Sequence, residues 1–251
     1  MSEVRPEVAS KIWSDYINPK LFEMTQSPYA YEKLGGLCAI DRILEVESDE
    51  AVESRAVKHF RLYQYVKNGL VTADWTLMAR AAQTLGRIIE HGGHFGDGFM
   101  PAEVPRLLDN FTSGGELARF SSTLNLRVLA QHSTAQFSPY VIAVLDRIWI
   151  PLRDSKVSTR EAAAELLARC LMIVGLRNVQ AHTLVYDKIV QEIFIGFNQT
   201  SVDYIHGSLL AFREMLLHAG MVKYSKFIES PFANGCRSSW RKNLFLMPRL
   251  C

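Results

Sequence analysis

Apolar positions recur along this chain at the spacing of a helix face. Between Ala163 and Val174 they fall at Ala163, Leu166, Leu167, Cys170, Leu171 and Val174, offsets of 3, 4, 7, 8 and 11 from the first, which is one side of a 3.6-residue turn. Val141, Val144, Leu145, Ile148 and Trp149 repeat the pattern, with Ser138 and Pro139 as N-cap and first-turn residues and Pro151 marking the far end. Proline is absent from Tyr29 to Met100 and from Leu152 to Ser230, so long helices are permitted there. No segment of comparable length alternates polar and apolar residues as a half-buried strand would. The pattern predicts an all-α chain.

The helices repeat. Pairs of very small residues precede an apolar helical stretch at Gly35-Gly36, Ala81-Ala82, Ser121-Ser122, Ala162-Ala163 and Gly207-Ser208, with spacings of 46, 40, 41 and 45 residues. Those spacings match the period of HEAT and armadillo repeats. Small residues at a fixed point of each second helix let it approach its neighbours closely, as every unit of a stacked solenoid requires. An earlier amphipathic helix and a short polar turn precede each of three pairs, the turns being Val66-Lys67-Asn68-Gly69 through Asp74, Asp109-Asn110-Phe111-Thr112 through Glu116, and Arg153-Asp154-Ser155-Lys156. The expected architecture is an α-solenoid of about five HEAT-like helix-turn-helix repeats, an ARM-type superhelix, with units at about 20–47, 52–92, 98–133, 136–176 and 180–220. Residues 1–19 form an N-terminal segment. The glycine-rich stretch from His91 to Gly98 is the expected flexible joint.

Composition narrows the function classes. In 251 residues, 28 Lys plus Arg stand against 26 Asp plus Glu, which excludes the one-sided basic balance of a dedicated nucleic-acid binder. The best candidate for a membrane span, Val141 to Leu152, is broken by Asp146 and Arg147, so no transmembrane segment is expected. The first residues, with Glu3, Arg5 and Glu7, do not read as a secretory signal. A cytoplasmic location follows, and with it no glycosylation at Asn110 or Asn198. Cys38, Cys170, Cys236 and Cys251 are too few and scattered for a disulfide framework. Cys38 and Cys170 lie on helical stripes and are expected in the core.

Catalytic patterns are not found. The glycine-rich stretch fits neither GxGxxG nor GxxxxGK[ST], and His91 and His94 have only Asp97 nearby as a further ligand. No GxSxG elbow and no kinase signature is present, so no catalytic, cofactor-binding or metal-binding residue is expected. One polar feature recurs in register. Arg87, Arg127 and Arg213 follow the first small residue of their units by six positions, and Arg169 by seven. Stacked repeats would set these four in a ladder along one face, a dock for an acidic partner. The competing reading, which the nearby Glu90, Glu165 and Glu214 favour, is a solvated face neutralised by its neighbours. Trp75, Trp149, Phe194 and Phe197 read as packing between helices, not a binding cage.

Several blocks resemble a known family. Ile148-Trp149 with Leu152-Arg153-Asp154-Ser155-Lys156-Val157, Arg160-Glu161-Ala162-Ala163-Ala164-Glu165, Ala168-Arg169-Cys170-Leu171, and Glu32-Lys33-Leu34-Gly35-Gly36-Leu37-Cys38-Ala39-Ile40 are similar to the N-terminal HEAT region of target-of-rapamycin (TOR) kinases. So are Arg213-Glu214-Met215-Leu216-Leu217-His218-Ala219-Gly220 and the most specific block, Ile205-His206-Gly207-Ser208-Leu209-Leu210. The similarity runs over about residues 28–229. It implies a non-catalytic scaffold segment of a large serine/threonine kinase of the PI3K-related family, supporting kinase dimerisation and the Raptor- or Rictor-type accessory subunits that define its two complexes, TORC1 and TORC2. It also implies nutrient-responsive signalling in the cytoplasm, with nuclear or endomembrane association as part of those complexes. An independent HEAT or ARM adaptor unrelated to a kinase is the alternative.

Residues 230–251 depart from the family. They carry four basic residues, no acidic residue and no helical stripe. An altered reading frame or a retained intron that ends the chain early is the expected origin, and a genuine divergent tail is the alternative.

Overall fold

The structure, a computed structural model, describes residues 6–46, 52–70, 72, 74–92, 99–176 and 179–218. His94, Asp97 and most of the glycine-rich joint, like Cys236, Cys251 and the basic stretch 230–251, lie outside the described residues.

Helix follows helix through the described residues, with no strand among them. The order is α1 (Pro6–Ile12), a π-helical turn (Trp13–Ile17), α2 (Asn18–Gln26), α3 (Ala30–Glu45), α4 (Val52–Gly69) and α5 (Trp75–Gly92), then α6 (Phe99–Ser113) and α7 (Glu116–His132). Next come α8 (Thr134–Phe137), a 3-10 turn (Ser138–Tyr140), α9 (Val141–Arg147), α10 (Trp149–Leu152), α11 (Val157–Gly175), α12 (Val179–Phe197) and α13 (Val202–His218). Helices α3, α5, α7, α11 and α13 stack successively against one another, and each also packs on a helix just before it in sequence. The first helices touch each other much less from α4 onward, so the array is closest-packed along the second-helix layer. This is an all-α solenoid of HEAT-like hairpins, with one continuous apolar core running through the units.

The small-residue pairs mark where helices meet. A Cβ on Gly36 would come within 3.2 Å of the Met24 Cβ on α2. In the middle of the array, the Asn110 amide of α6 donates to the Ser122 hydroxyl of α7 at 2.9 Å. The last pair faces two ways. A Cβ on Gly207 would overlap the backbone carbonyl oxygen of Leu152 at the end of α10, while one on Gly196 of α12 would overlap the Ser208 hydroxyl. Gly207 therefore fits against the preceding unit and Ser208 against its own, and neither contact leaves room for a larger side chain.

Two local expectations change. Helix formation between Val141 and Leu152 breaks at Ile148, giving α9 and α10, and Pro151 lies inside the second piece. Proline at 151 removes the N–H that would bond the Arg147 carbonyl and crowds that carbonyl, so the break falls one residue later. Cys38, expected in the core, is exposed, whereas Cys170 is fully buried. The buried face of α3 runs through Leu37, Ile40, Asp41 and Leu44, and Cys38 sits about 100° around the helix from Leu37. Aromatic packing is as anticipated: the rings of Trp75 and Phe120 are 4.4 Å apart, and Phe197 meets Phe212 edge-on at 6.3 Å.

Candidate partner-binding face

The four ladder arginines all lie on second helices, Arg87 on α5, Arg127 on α7, Arg169 on α11 and Arg213 on α13. Their surroundings differ. Arg87 reaches back one unit to α3, with Nη2 2.7 Å from Glu45 Oε1 and Nη1 3.3 Å from Asp41 Oδ2. Arg127 reaches forward one unit to pair with Glu165 on α11. Arg213 is held by its sequence neighbour Glu214, its Nη2 lying 2.6 Å from Oε1. Arg169 has no carboxylate partner among the described residues; its Nη1 meets the Met172 sulfur at 3.8 Å. Glu165 and Glu214 thus act as the neutralising neighbours read from the sequence. Glu90 does not serve Arg87 and instead lies 3.9 Å from His132.

Sequence reasoning missed Asp41 and Glu45, and with them a wider regularity. Arg80 joins Arg87 on the buried Asp41. Arg119 Nε donates to Asp154 Oδ2 at 2.7 Å, Arg160 Nη1 to Asp203 Oδ1 at 2.6 Å, and Arg147 Nη1 to Asp109 Oδ1 at 3.0 Å. Lys188 pairs with Asp146 at 2.6 Å, Arg153 with Glu192 at 2.8 Å, and the Tyr63 hydroxyl donates to Glu103 at 2.6 Å. Partners in these pairs are 35 to 46 residues apart, from Arg119 with Asp154 to Arg87 with Asp41, roughly one repeat. The legible signal would have been opposite charges separated by that period. A helix in a solenoid meets its counterpart one unit away, so opposite charges on successive units, buried or exposed, come within reach of each other.

Electrostatics agrees with this geometry. Hydrogen bonds from Arg87 and Arg42 hold the Glu45 carboxyl below the usual carboxylate range. Burial pushes Glu103 upward, but hydrogen bonds from Arg106 and Tyr63 and the charge of Lys67 outweigh it, and the net shift is downward. Tyr63 is displaced upward by burial and by Glu103. Burial lowers His132 below the ordinary imidazole value, with Glu90 opposing and Arg169 reinforcing the shift.

No group of three or more His, Cys, Asp and Glu residues is arranged to hold a metal ion among the described residues. His91 lies exposed in the last turn of α5. Among those residues no helix is long and apolar enough to cross a membrane.

A solenoid whose long-range polar contacts join successive units is a helical-repeat protein, and comparison with known proteins specifies the kind. The chain is 30% identical over 221 residues to serine/threonine-protein kinase tor1 of Schizosaccharomyces pombe, a match covering 88% of this chain and 9% of that protein. It is 32% identical over 213 residues to serine/threonine-protein kinase TOR2 of Saccharomyces cerevisiae, covering 81% and 8%. Against serine/threonine-protein kinase TOR of Arabidopsis thaliana it is 26% identical over 224 residues, covering 88% and 9%. No protein-family model matches the chain. Its homologues are thus TOR kinases, and the chain corresponds to a partial region of them, spanning less than a tenth of their length.

Proposed function

We propose that this chain is a non-catalytic HEAT scaffold segment of a TOR-type kinase, mediating protein–protein interactions in nutrient-responsive TOR signalling. The observation that carries this reading is a match to TOR kinases over 81–88% of the chain in a stretch folded as stacked helical hairpins. The proposed division keeps residues 20–229 as the repeat region, with units at about 20–47, 52–92, 98–133, 136–176 and 180–220, flanked by 1–19 and 230–251. The proposed partners are Raptor- or Rictor-type accessory subunits and a second TOR molecule, in TORC1 or TORC2, in the cytoplasm.

Of the expected ladder, Arg87, Arg127, Arg169 and Arg213, the last two are proposed as its partner-facing members. Among the described residues Arg169 has no carboxylate of its own and the exposed Arg213 is bound only to its neighbour, so these two offer the most open guanidinium edges to an acidic partner. A second reading holds for the other two, because Arg87 and Arg127 already bridge adjacent units and so act as staples. Immobilised chain, probed in solution with purified Raptor-type and Rictor-type subunits, separates the two roles. Reversing Arg169 and Arg213 to Glu should weaken subunit binding at least tenfold with helicity unchanged. Replacing Arg87 and Arg127 by Ala should leave it within twofold. Absence of binding by the parent chain to both subunits, or indifference of binding to the double reversal, would refute the ladder proposal.

A further inference from the structure

The turn edge of the solenoid carries a site apart from the ladder. Between the first turns of α7 and α13 and the α10–α11 turn lies an open cleft of about 370 Å³ lined by Arg119, Trp149, Ile150, Arg153, Ser155 and Tyr204, with Asp154 at its base. Arg153 is held between two rings, its Cζ 5.4 Å from the Trp149 centroid and 5.1 Å from that of Tyr204. From this clamp Nη2 donates to Glu192 Oε2 at 2.8 Å and more weakly to the Glu192 carbonyl at 3.4 Å, while the buried Nε has no partner among the described residues. Arg119 donates through Nε to Asp154 Oδ2 and through Nη1 to the Gly114 carbonyl at 2.9 Å.

The donor and acceptor inventory of the cleft is lopsided. Both oxygens of Asp154 are engaged, Oδ2 by Arg119 and Oδ1 by the Lys156 backbone N–H at 2.9 Å. Nη2 of Arg119, Nη1 and Nε of Arg153 and the hydroxyls of Ser155 and Tyr204 have no acceptor among the described residues. Guanidinium nitrogens only donate, so the complementary ligand group only accepts, and a carboxylate is such a group. The cleft is lined from the first turns of α7 and α13 and from the turn just before α11, and the dipoles of those helix ends favour negative charge. Trp149, Ile150 and Tyr204 supply apolar walls beside the donors, and the cleft is open enough for side chains presented by an extended backbone.

We infer that this cleft binds an acidic peptide segment of a protein partner, seating a carboxylate between Arg119 and Arg153 and a neighbouring aromatic or aliphatic side chain against Tyr204 and Ile150. The inference deepens the interaction-scaffold reading and does not depend on the arginine ladder. Its test is NMR titration of the full 15N-labelled chain with acetyl-Asp-Phe-Asp-Phe-amide, the same peptide with Asn for Asp, and inorganic phosphate. The buried Arg153 Nε–H, assigned by its loss in Arg153→Lys, is the reporter. The acidic peptide should shift it saturably, the Asn peptide should bind at least tenfold more weakly, and Tyr204→Ser should weaken the acidic peptide at least fivefold with the melting temperature unchanged. Equal response to both peptides, no response, or a phosphate response matching the acidic peptide and indifferent to Tyr204→Ser would overturn the assignment. Loss of accessory-subunit binding with peptide binding intact would count against the scaffold proposal alone.

Discussion

Gly207→Ala tests the stacking of the last unit on the one before it. A methyl group at 207 would occupy the space of the Leu152 carbonyl oxygen, with the carbonyl carbon 2.8 Å away and the Arg153 backbone nitrogen at 3.7 Å. That oxygen belongs to the backbone at the end of α10 and cannot rotate aside as a flexible side chain could, so α13 must move off α10 and α11. Overpacking of this kind costs about 1–3 kcal/mol, and the rigidity of the obstacle puts this case near 3. Replacing Gly by Ala inside a helix recovers about 1 kcal/mol of propensity. The expected net loss is about 2 kcal/mol. Gly175 is the control, because a Cβ there meets nothing within 4 Å and the residue is exposed at the end of α11. Gly175→Ala should therefore be neutral or stabilising, by up to about 1 kcal/mol. Urea titrations followed by circular dichroism at 222 nm would give both midpoints. Fluorescence of the tryptophans, which include the buried Trp149 in the Gly207 unit's neighbour, would show whether the array unfolds as a unit. Equal midpoints for Gly207→Ala and the parent chain would refute the close-contact argument, and so would destabilisation by Gly175→Ala of the same size.

Other consequences can be measured directly. Arg160 is almost fully buried and donates to the Asp154 and Ser155 carbonyls, to Asp203 and to His206 Nδ1, so Arg160→Ala should cost about 3 kcal/mol in a urea titration; a loss under 1 kcal/mol would show the network to be dispensable. Burial lowers both His132 and His206, with Arg169 acting in the same direction on His132 and Arg160 and Arg213 on His206, against Glu90 for the first and Glu161 and Asp203 for the second. The unfolded chain then binds more protons than the folded one, so thermal stability should fall as pH drops below the ordinary histidine value of about 6.5, less steeply in His132→Gln; a melting temperature rising on mild acidification would contradict the sign. Peptide mapping after brief iodoacetamide treatment of the native chain should find Cys38 alkylated and Cys170 spared until denaturation; alkylation of Cys170 at the rate of Cys38 would contradict its burial.

The small-residue pairs made the architecture legible, because a solenoid needs close helix contact at the same point of every unit and Gly35-Gly36, Ala81-Ala82 and their counterparts supply it. Periodicity located the helices well but not their breaks, since the effect of Pro151 falls on the carbonyl four residues earlier. It also misjudged Cys38, for α3 carries a buried charge, Asp41, among its apolar positions, and a stripe read by hydrophobicity alone is rotated by such a residue. The ladder was legible as a register of cations. Glu165 and Glu214 were legible beside it, but Asp41 and Glu45 were not, because they lie a whole repeat from Arg87 and that pairing emerges only when units are stacked. Nor could the cleft around Arg153 be read from sequence: it joins the starts of α7 and α13 to the turn before α11, three places that no local motif connects.

Hydrogen exchange of the chain with and without a Raptor- or Rictor-type subunit addresses the scaffold claim most directly. The account predicts slowed exchange concentrated in α11 and α13, the helices carrying Arg169 and Arg213, with protection reduced when both are reversed to Glu. Protection confined to the first helices of the units, or unchanged exchange throughout with both subunits, would contradict it.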